Sequence, residues 1–209
     1  MINTLIFDLD MTLLDTLDAT IMGANMIADR FGLPRKTEAD VLSDVSLPTK
    51  EFWKHLWGEF KEEWVDYFQS NVVPMVNKHT KLYPEGEDIL KSAKAKGILL
   101  AVASNRVNPW HDLADLNLAK YFDTVVGSSD VPKPKPEPDM LVAILKQLGV
   151  TAQEAIYVGD TTVDMGCSKA AGIKALGLTQ SGATPEALYR AGASFVRPSL
   201  AQSRDILGC

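Results

Sequence analysis

Cysteine is nearly absent from this sequence: Cys167 and Cys209 are its only two among 209 residues. Neither stands in a C-x-x-C pair or a His/Cys cluster, which reads against a zinc site. A disulfide between them stays open on sequence grounds; two free thiols in a reducing cytoplasm is the favoured reading. Positive charge is also in short supply. Lys and Arg number 21 against 27 Asp and Glu, a formal net charge of −6, and the sequence pI is about 5.1. This argues against a general nucleic-acid binder, which carries a basic face. It does not argue against a phosphorylated small molecule, because a small anion responds to the local field of its site. No apolar stretch approaches the ~20 residues that span a bilayer. The opening MINTLIFDLD has no basic segment and is interrupted by Asp8 and Asp10, so it does not read as a signal peptide. Repeats and low-complexity segments are missing too. The expectation is a cytoplasmic globular protein with no membrane or nucleic-acid partner.

What is present is ordinary soluble composition, 46% hydrophobic and 23% charged, which sets disorder aside. Five short apolar runs punctuate the chain: Leu5-Ile6-Phe7, Ile98 to Ala103, Thr124-Val125-Val126, Ala155 to Val158 and Ile173 to Leu176. Short continuous apolar runs bounded by turn residues suit strands buried on both faces. Helical periodicity fills the gaps. Ile89, Leu90 and Ala93 share one face, Leu113, Leu116 and Leu118 suggest another, and Leu141, Ile144, Leu145 and Leu148 form a stripe ending at Gly149. Strands alternating with helices imply right-handed βαβ units, hence an α/β fold with a mainly parallel sheet. Residues 17 to 82 break the alternation. They hold Trp53, Trp57 and Trp64, and Phe52, Leu56, Phe60, Trp64 and Phe68 recur at helical spacing. We read them as a small helical unit with its own aromatic core, with Pro48 and Pro74 marking breaks between helices. The expected division is a core of residues 1–16 and 83–209 and an inserted unit of residues 17–82.

Ligands of open parallel sheets bind beyond the carboxyl ends of the strands. Asp8 and Asp10 follow the first run, Ser104 and Asn105 the second, and Asp160 the fourth, with Asp164 four residues on. Lys135 lies in KPKPEPD, between the third run and the Leu141 helix. Any one of these acids could be a plain helix N-cap, Asp160 before Thr161-Thr162 included. Four acids at the ends of two strands are harder to read that way. Their repulsion calls for a hard divalent cation with oxygen ligands, Mg²⁺ when phosphate completes the shell. Ser104 and Asn105 can hydrogen-bond phosphoryl oxygens, although Ser-Asn is also a common turn pair. A pinned Lys135 can offset charge on a nucleophile and a transferring group.

In this order the residues resemble the haloacid dehalogenase superfamily, in its phosphatase branch: IFDLDMTLLDT, Ser104 in AVASN, Lys135 in KPEPD, and Asp160 and Asp164 in YVGDTTVD, followed by KAAGI. The insertion resembles the helical cap of the phosphoglycolate phosphatase and β-phosphoglucomutase group. The resemblance implies a Rossmann-like three-layer core and a Mg²⁺-dependent phosphatase acting on a small phosphorylated metabolite. It implies that Asp8 forms an aspartyl-phosphate and that Asp10 serves as acid and then base. Thr12 and Ser104 are implied to hold phosphoryl oxygens, and Lys135 to fix the nucleophile. Metal ligation is implied for Asp8, the backbone carbonyl of Asp10, and Asp160, with Asp164 a ligand or its neighbour. Residues 13–16 become the hinge into the cap. Met11 departs from the usual glycine: either it is strained at positive φ, or it narrows the pocket. VLSDVSLPTKEF lacks the glycine frequent in relatives' specificity loops. Arg35, Lys50 and Arg106 are candidates for a substrate's distal anion, with solvated surface charge the favoured reading of each. Nothing places His111 as a ligand. The competing readings are a phosphomutase of the β-phosphoglucomutase type and a non-catalytic phosphate-binding module.

Overall fold

The structure is a computed structural model that describes residues 2–42, 47 and 49–208. Six strands form one sheet: β1 (Thr4–Phe7), β4 (Leu99–Ala103), β5 (Thr124–Val126), β6 (Ala155–Gly159), β7 (Lys174–Leu178) and β8 (Phe195–Arg197). Their order is β5-β4-β1-β6-β7-β8, and every neighbouring pair runs parallel. The chain thus starts in the middle, builds outward on one side, then crosses β1 to build the other. The crevice beyond β1 is the switch point where ligands collect in such sheets. The strand β8 has no counterpart among the five expected runs. It is a three-residue, half-buried edge strand, too short for a pattern to show.

Alternation along each strand makes a three-layer core. Leu5, Phe7, Leu100, Val102, Ile156 and Val158 face one side. Against them pack α6 (Gly86–Ala95), α7 (Pro109–Asp115) and α11 (Arg204–Leu207) through Ile89, Leu113 and Leu207. Ile6, Ala101, Ala155 and Tyr157 face the other side, towards α8 (Asp139–Leu148) and α9 (Thr162–Ala171). Near β7, α10 (Pro185–Ala191) joins this layer through Leu188. Helix α8 stops at Gly149, whose φ of 67° lets its N–H reach the carbonyl of Leu145, a left-handed cap that a Cβ would penalise.

Among the described residues, five α-helices lie between β1 and α6: α1 (Leu17–Phe31), α2 (Glu38–Leu42), α3 (Thr49–Trp57), α4 (Glu62–Tyr67) and α5 (Val73–His79). Their buried side chains form a cluster separate from the sheet's, containing Ile27, Val41, Phe52, Trp53, Trp64 and Val76. The aromatic stripe is divided between two helices, because α3 ends at Trp57 and the turn at Gly58 precedes α4. It still converges: Trp64 stands edge-on to both Trp53 and Trp57. Burying each such ring contributes on the order of 2–3 kcal/mol. Pro74 marks no gap. A wide π turn over Phe68–Val72 joins α4 to α5, and Pro74, which has no N–H to give to the preceding turn, sits in the first turn of α5 directly after it. Pro48 lies outside the described residues. The two crossings between helical unit and sheet pair as a short antiparallel ribbon, β2 (Leu14–Asp15) with β3 (Lys81–Leu82). Among the described residues, no helix is long and apolar enough to cross a membrane.

Candidate active site

Asp8 leaves the end of β1 with its N–H still bonded to Val158 of β6, 2.8 Å away. The chain then turns tightly, so that Thr12, Leu13 and Leu14 all donate their N–H groups to the carbonyl of Leu9. Met11 makes this turn at φ 59°. Of the two readings of Met11, the strained one holds. A side chain in the left-handed region costs about 1–2 kcal/mol, and Met11 is buried away from the cavity described below.

Lys135 organises the acids. Its Nζ donates to Asp8 Oδ1 at 2.6 Å, to Asp164 Oδ1 at 2.8 Å and to Tyr157 OH at 3.1 Å. The lysine is 2% exposed. Its backbone is clamped by the Asn105 amide, which donates to the Lys135 carbonyl and accepts from its N–H. Burial lowers the lysine's proton affinity, but Asp164 and Asp8 outweigh it, so the ammonium stays charged. Burial pushes Asp8 well up from the usual carboxylate range, against the pull of Lys135. Asp164 is also penalised by burial, yet Lys135 holds it ionised and below that range. Asp164 is further tied to the N-terminus of α9. Thr161 is the N-cap there, its hydroxyl donating to Asp164 Oδ2 at 2.6 Å and accepting from the Asp164 N–H. So Asp160 is not the cap. Its Oδ1 accepts from the Thr12 hydroxyl at 2.9 Å. Burial, then the nearby charge of Asp164, raises Asp160 to about 7.

Ligand oxygens of Asp8, Asp160 and Asp164 lie within 4.8 Å of one another, and all three residues are buried. Asp160 Oδ2 is buried and accepts no hydrogen bond among the described residues. An all-oxygen donor set with one idle acceptor fits a hard divalent cation. The Asp10 carboxylate is engaged elsewhere. Arg106 grips it with Nε and Nη2, at 3.0 Å to Oδ2 and 2.8 Å to Oδ1, and reaches Asp112 Oδ2 with Nη1 at 3.0 Å. Burial raises Asp10, but the guanidinium more than offsets this and holds it below its ordinary range. Arg106 is therefore no solvated surface charge: it is 17% exposed and shared between two carboxylates. Asp112 also accepts from Asn77 of α5, so this chain of contacts runs from the helical unit to Asp10.

Ser104 is buried, its Oγ accepting from the N–H of Arg106. Arg35 and Lys50 lie on the surface, paired with Asp29 and Glu62. His111 is exposed beside Asp115. Sequence reasoning missed Tyr157, Gln180 and Asn77. Tyr157 is hidden in an apolar run. Gln180, which donates to the carbonyls of Met11 and Thr12, follows a strand as the site residues do but lies in no recognised pattern. Thr161-x-x-Asp164 did carry a signal, the capping-box spacing.

A cavity of about 370 Å³ lies between the sheet's edge and the helical unit, with Asp8, Asp10 and Lys135 at the core side and Phe52, Trp53 and Phe68 on the other. The family model for haloacid dehalogenase-like hydrolase matches residues 5–178. The chain belongs to this family. Its likeness to the phosphatase branch runs through most of its length. A phosphoglycolate phosphatase of Aquifex aeolicus strain VF5 is 32% identical over 173 residues, 81% of this chain and 81% of the relative. Among solved structures, a predicted phosphatase from Clostridium acetobutylicum covers 100% of both chains at a TM-score of 0.87 and 25% identity. A β-phosphoglucomutase from Clostridium difficile has a TM-score of 0.80 at 21% identity, over 97% of this chain and 93% of its own, a likeness of fold.

Proposed function

We propose that this haloacid dehalogenase-like hydrolase is a Mg²⁺-dependent phosphatase that cleaves a small phosphomonoester through an aspartyl-phosphate on Asp8. The observation that carries the reading is a carboxylate at the sheet's switch point, pinned by a buried lysine and opening onto the cavity. Asp8 attacks phosphorus and the bond to the leaving oxygen breaks; Asp10, ionised in the resting site, first takes up the proton that the substrate brings in as a phosphomonoester monoanion and delivers it to that oxygen. Asp10 then takes a proton from water as the water oxygen attacks phosphorus, which frees the Asp8 carboxylate. Such acid–base help is worth about 10²–10⁴-fold. Lys135 orients Asp8 and balances its charge, and in-line transfer asks for little more than positioning and charge stabilisation. Asp8, Asp160, Asp164 and the backbone carbonyl of Asp10 are the groups that would hold Mg²⁺. When bound, it supplies positive charge against the phosphoryl oxygens. The helical unit acts as a cap whose closure excludes water.

A mutase is supported less well. It returns the phosphoryl group to a substrate that already carries one, so it needs a cation for a distal dianion. Among the described residues, the cap side of the cavity offers none. The test is turnover of a panel of phosphomonoesters by wild type and Asp8→Asn. We expect activity that EDTA abolishes, that excess Mg²⁺ restores, and that falls to background in Asp8→Asn. Turnover persisting in Asp8→Asn would falsify the covalent route.

A further inference from the structure

We propose that the ester hydrolysed here has an uncharged, largely apolar leaving group, seated against the cap wall of the cavity; this rests on the phosphatase reading above. The wall is aromatic and aliphatic. Trp53 and Phe68 meet edge to face with centroids 5.3 Å apart, and Phe52, Leu47, Val73 and Val76 continue the surface. Its polar groups are Thr20, Gln69 and Asn77, and no Lys, Arg or His comes from the cap among the described residues. Ser43, Asp44, Val45, Ser46 and Pro48, which the structure does not describe, add no cation by composition.

The cations that do line the cavity come from the core, and they are engaged. Lys135 is bonded to Asp8 and Asp164, and Arg106 to Asp10 and Asp112. His111 stands 3.5 Å from Asp115. The acids beside the cap wall are held as well: Asn77 donates to Asp112 at 3.2 Å and to Asp115 at 3.4 Å, and Asp112 is the second partner of Arg106, so the wall is left without a spare positive charge among the described residues. A leaving group with its own carboxylate would give up water there and meet no free cation among the described residues. An apolar group gains from the same burial. The volume sits at the small end of the range for ligand sites, about 300–1,000 Å³, which suits a phosphoryl group plus one compact organic body. Walls of this kind discriminate by about 10–200-fold per methylene. A relative named for phosphoglycolate, a carboxylated ester, therefore does not transfer its substrate to this cavity.

The experiment compares kcat/KM of the full chain with Mg²⁺ on benzyl phosphate, 4-carboxybenzyl phosphate and 2-phosphoglycolate, alongside Asp8→Asn and Val73→Lys. The two benzyl esters share a leaving oxygen of similar basicity, so the comparison isolates the distal charge. We expect benzyl phosphate to lead both carboxylated esters by at least tenfold. We expect Val73→Lys, which plants a cation on the wall, to shift the benzyl to carboxybenzyl ratio at least tenfold towards the acid. Equal or faster turnover of either carboxylated ester by wild type overturns the proposal while leaving the phosphatase reading intact. If no ester is turned over in an Asp8-dependent way, the phosphatase reading fails and the proposal falls with it.

Discussion

Arg106 shows how one side chain can set the state of another. Its planar fork chelates Asp10 and its remaining nitrogen holds Asp112, a division that a lysine's single ammonium cannot copy. The pairing keeps Asp10 ionised in the resting site, which suits it to take a proton from water in the second chemical step. Arg106→Lys is expected to lose about 10²-fold in kcat/KM, the scale of a misplaced catalytic group. Asp112→Asn should lose activity as well. Because both substitutions disturb one network, the double variant should lose little more than the worse single one, which a double-mutant cycle of kcat/KM reads directly. Full additivity would mean that Asp112 and Arg106 act separately.

At the scale of elements, the junction of β6 and α9 is the tightest part of the site. Gly159 ends β6 in close contact with Asp164: a Cβ there would stand 2.5 Å from Asp164 Cβ and 2.6 Å from its Cγ. Neither group can yield without moving the carboxylate that Lys135 and Thr161 hold. Gly159→Ala should cost about 1–3 kcal/mol in denaturant unfolding, as overpacking does, and lower metal-dependent turnover as well. Gly166, on the same helix α9, has nothing within 4 Å of its virtual Cβ. Gly166→Ala should instead stabilise by about 0.5–1 kcal/mol, since glycine loses more freedom than alanine in a helix interior. Opposite signs from two glycines seven residues apart would show that close approach to Asp164, not glycine's greater backbone freedom, governs position 159.

For the whole molecule, the acid cluster links folding to metal. Asp8, Asp160 and Asp164 come together only when the ends of β1 and β6 are assembled side by side. A cation that binds the cluster therefore binds the folded chain alone. At a hundred times its dissociation constant it should add about 2.7 kcal/mol, or about 5–10 °C in Tm for a domain of this size. Thermal unfolding with EDTA and with Mg²⁺ checks this, and Asp160→Asn, which weakens the cluster, should show a smaller rise. The helical unit has its own hydrophobic cluster and joins the sheet through two chain crossings paired as a short ribbon.

The sequence by itself determined the layering and the edge of the sheet at which the acids and the lysine gather. Five of the six core strands were visible as apolar runs, at Leu5, Leu99, Thr124, Ala155 and Ile173, because strands buried on both faces are largely continuous in apolar residues. Residues following those runs belong at one edge of a parallel sheet, so Asp8, Asp10, Asp160, Asp164 and Lys135 could be named before any coordinates. The aromatic content of residues 52–68 likewise announced a second hydrophobic cluster. Only the tertiary structure decided how these groups are shared out. Arg106 looked like a surface charge because burial of a cation depends on partners distant in the chain, here Asp10. Tyr157 read as plain core because a hydroxyl at the end of a buried ring shows its role only once Asp164 and Lys135 arrive beside it. Met11 could be called strained only from its φ. The charge of the cavity's cap wall was equally illegible, since it depends on which faces of α1, α3 and α5 turn inward, and that is settled by packing between helices rather than by any local pattern.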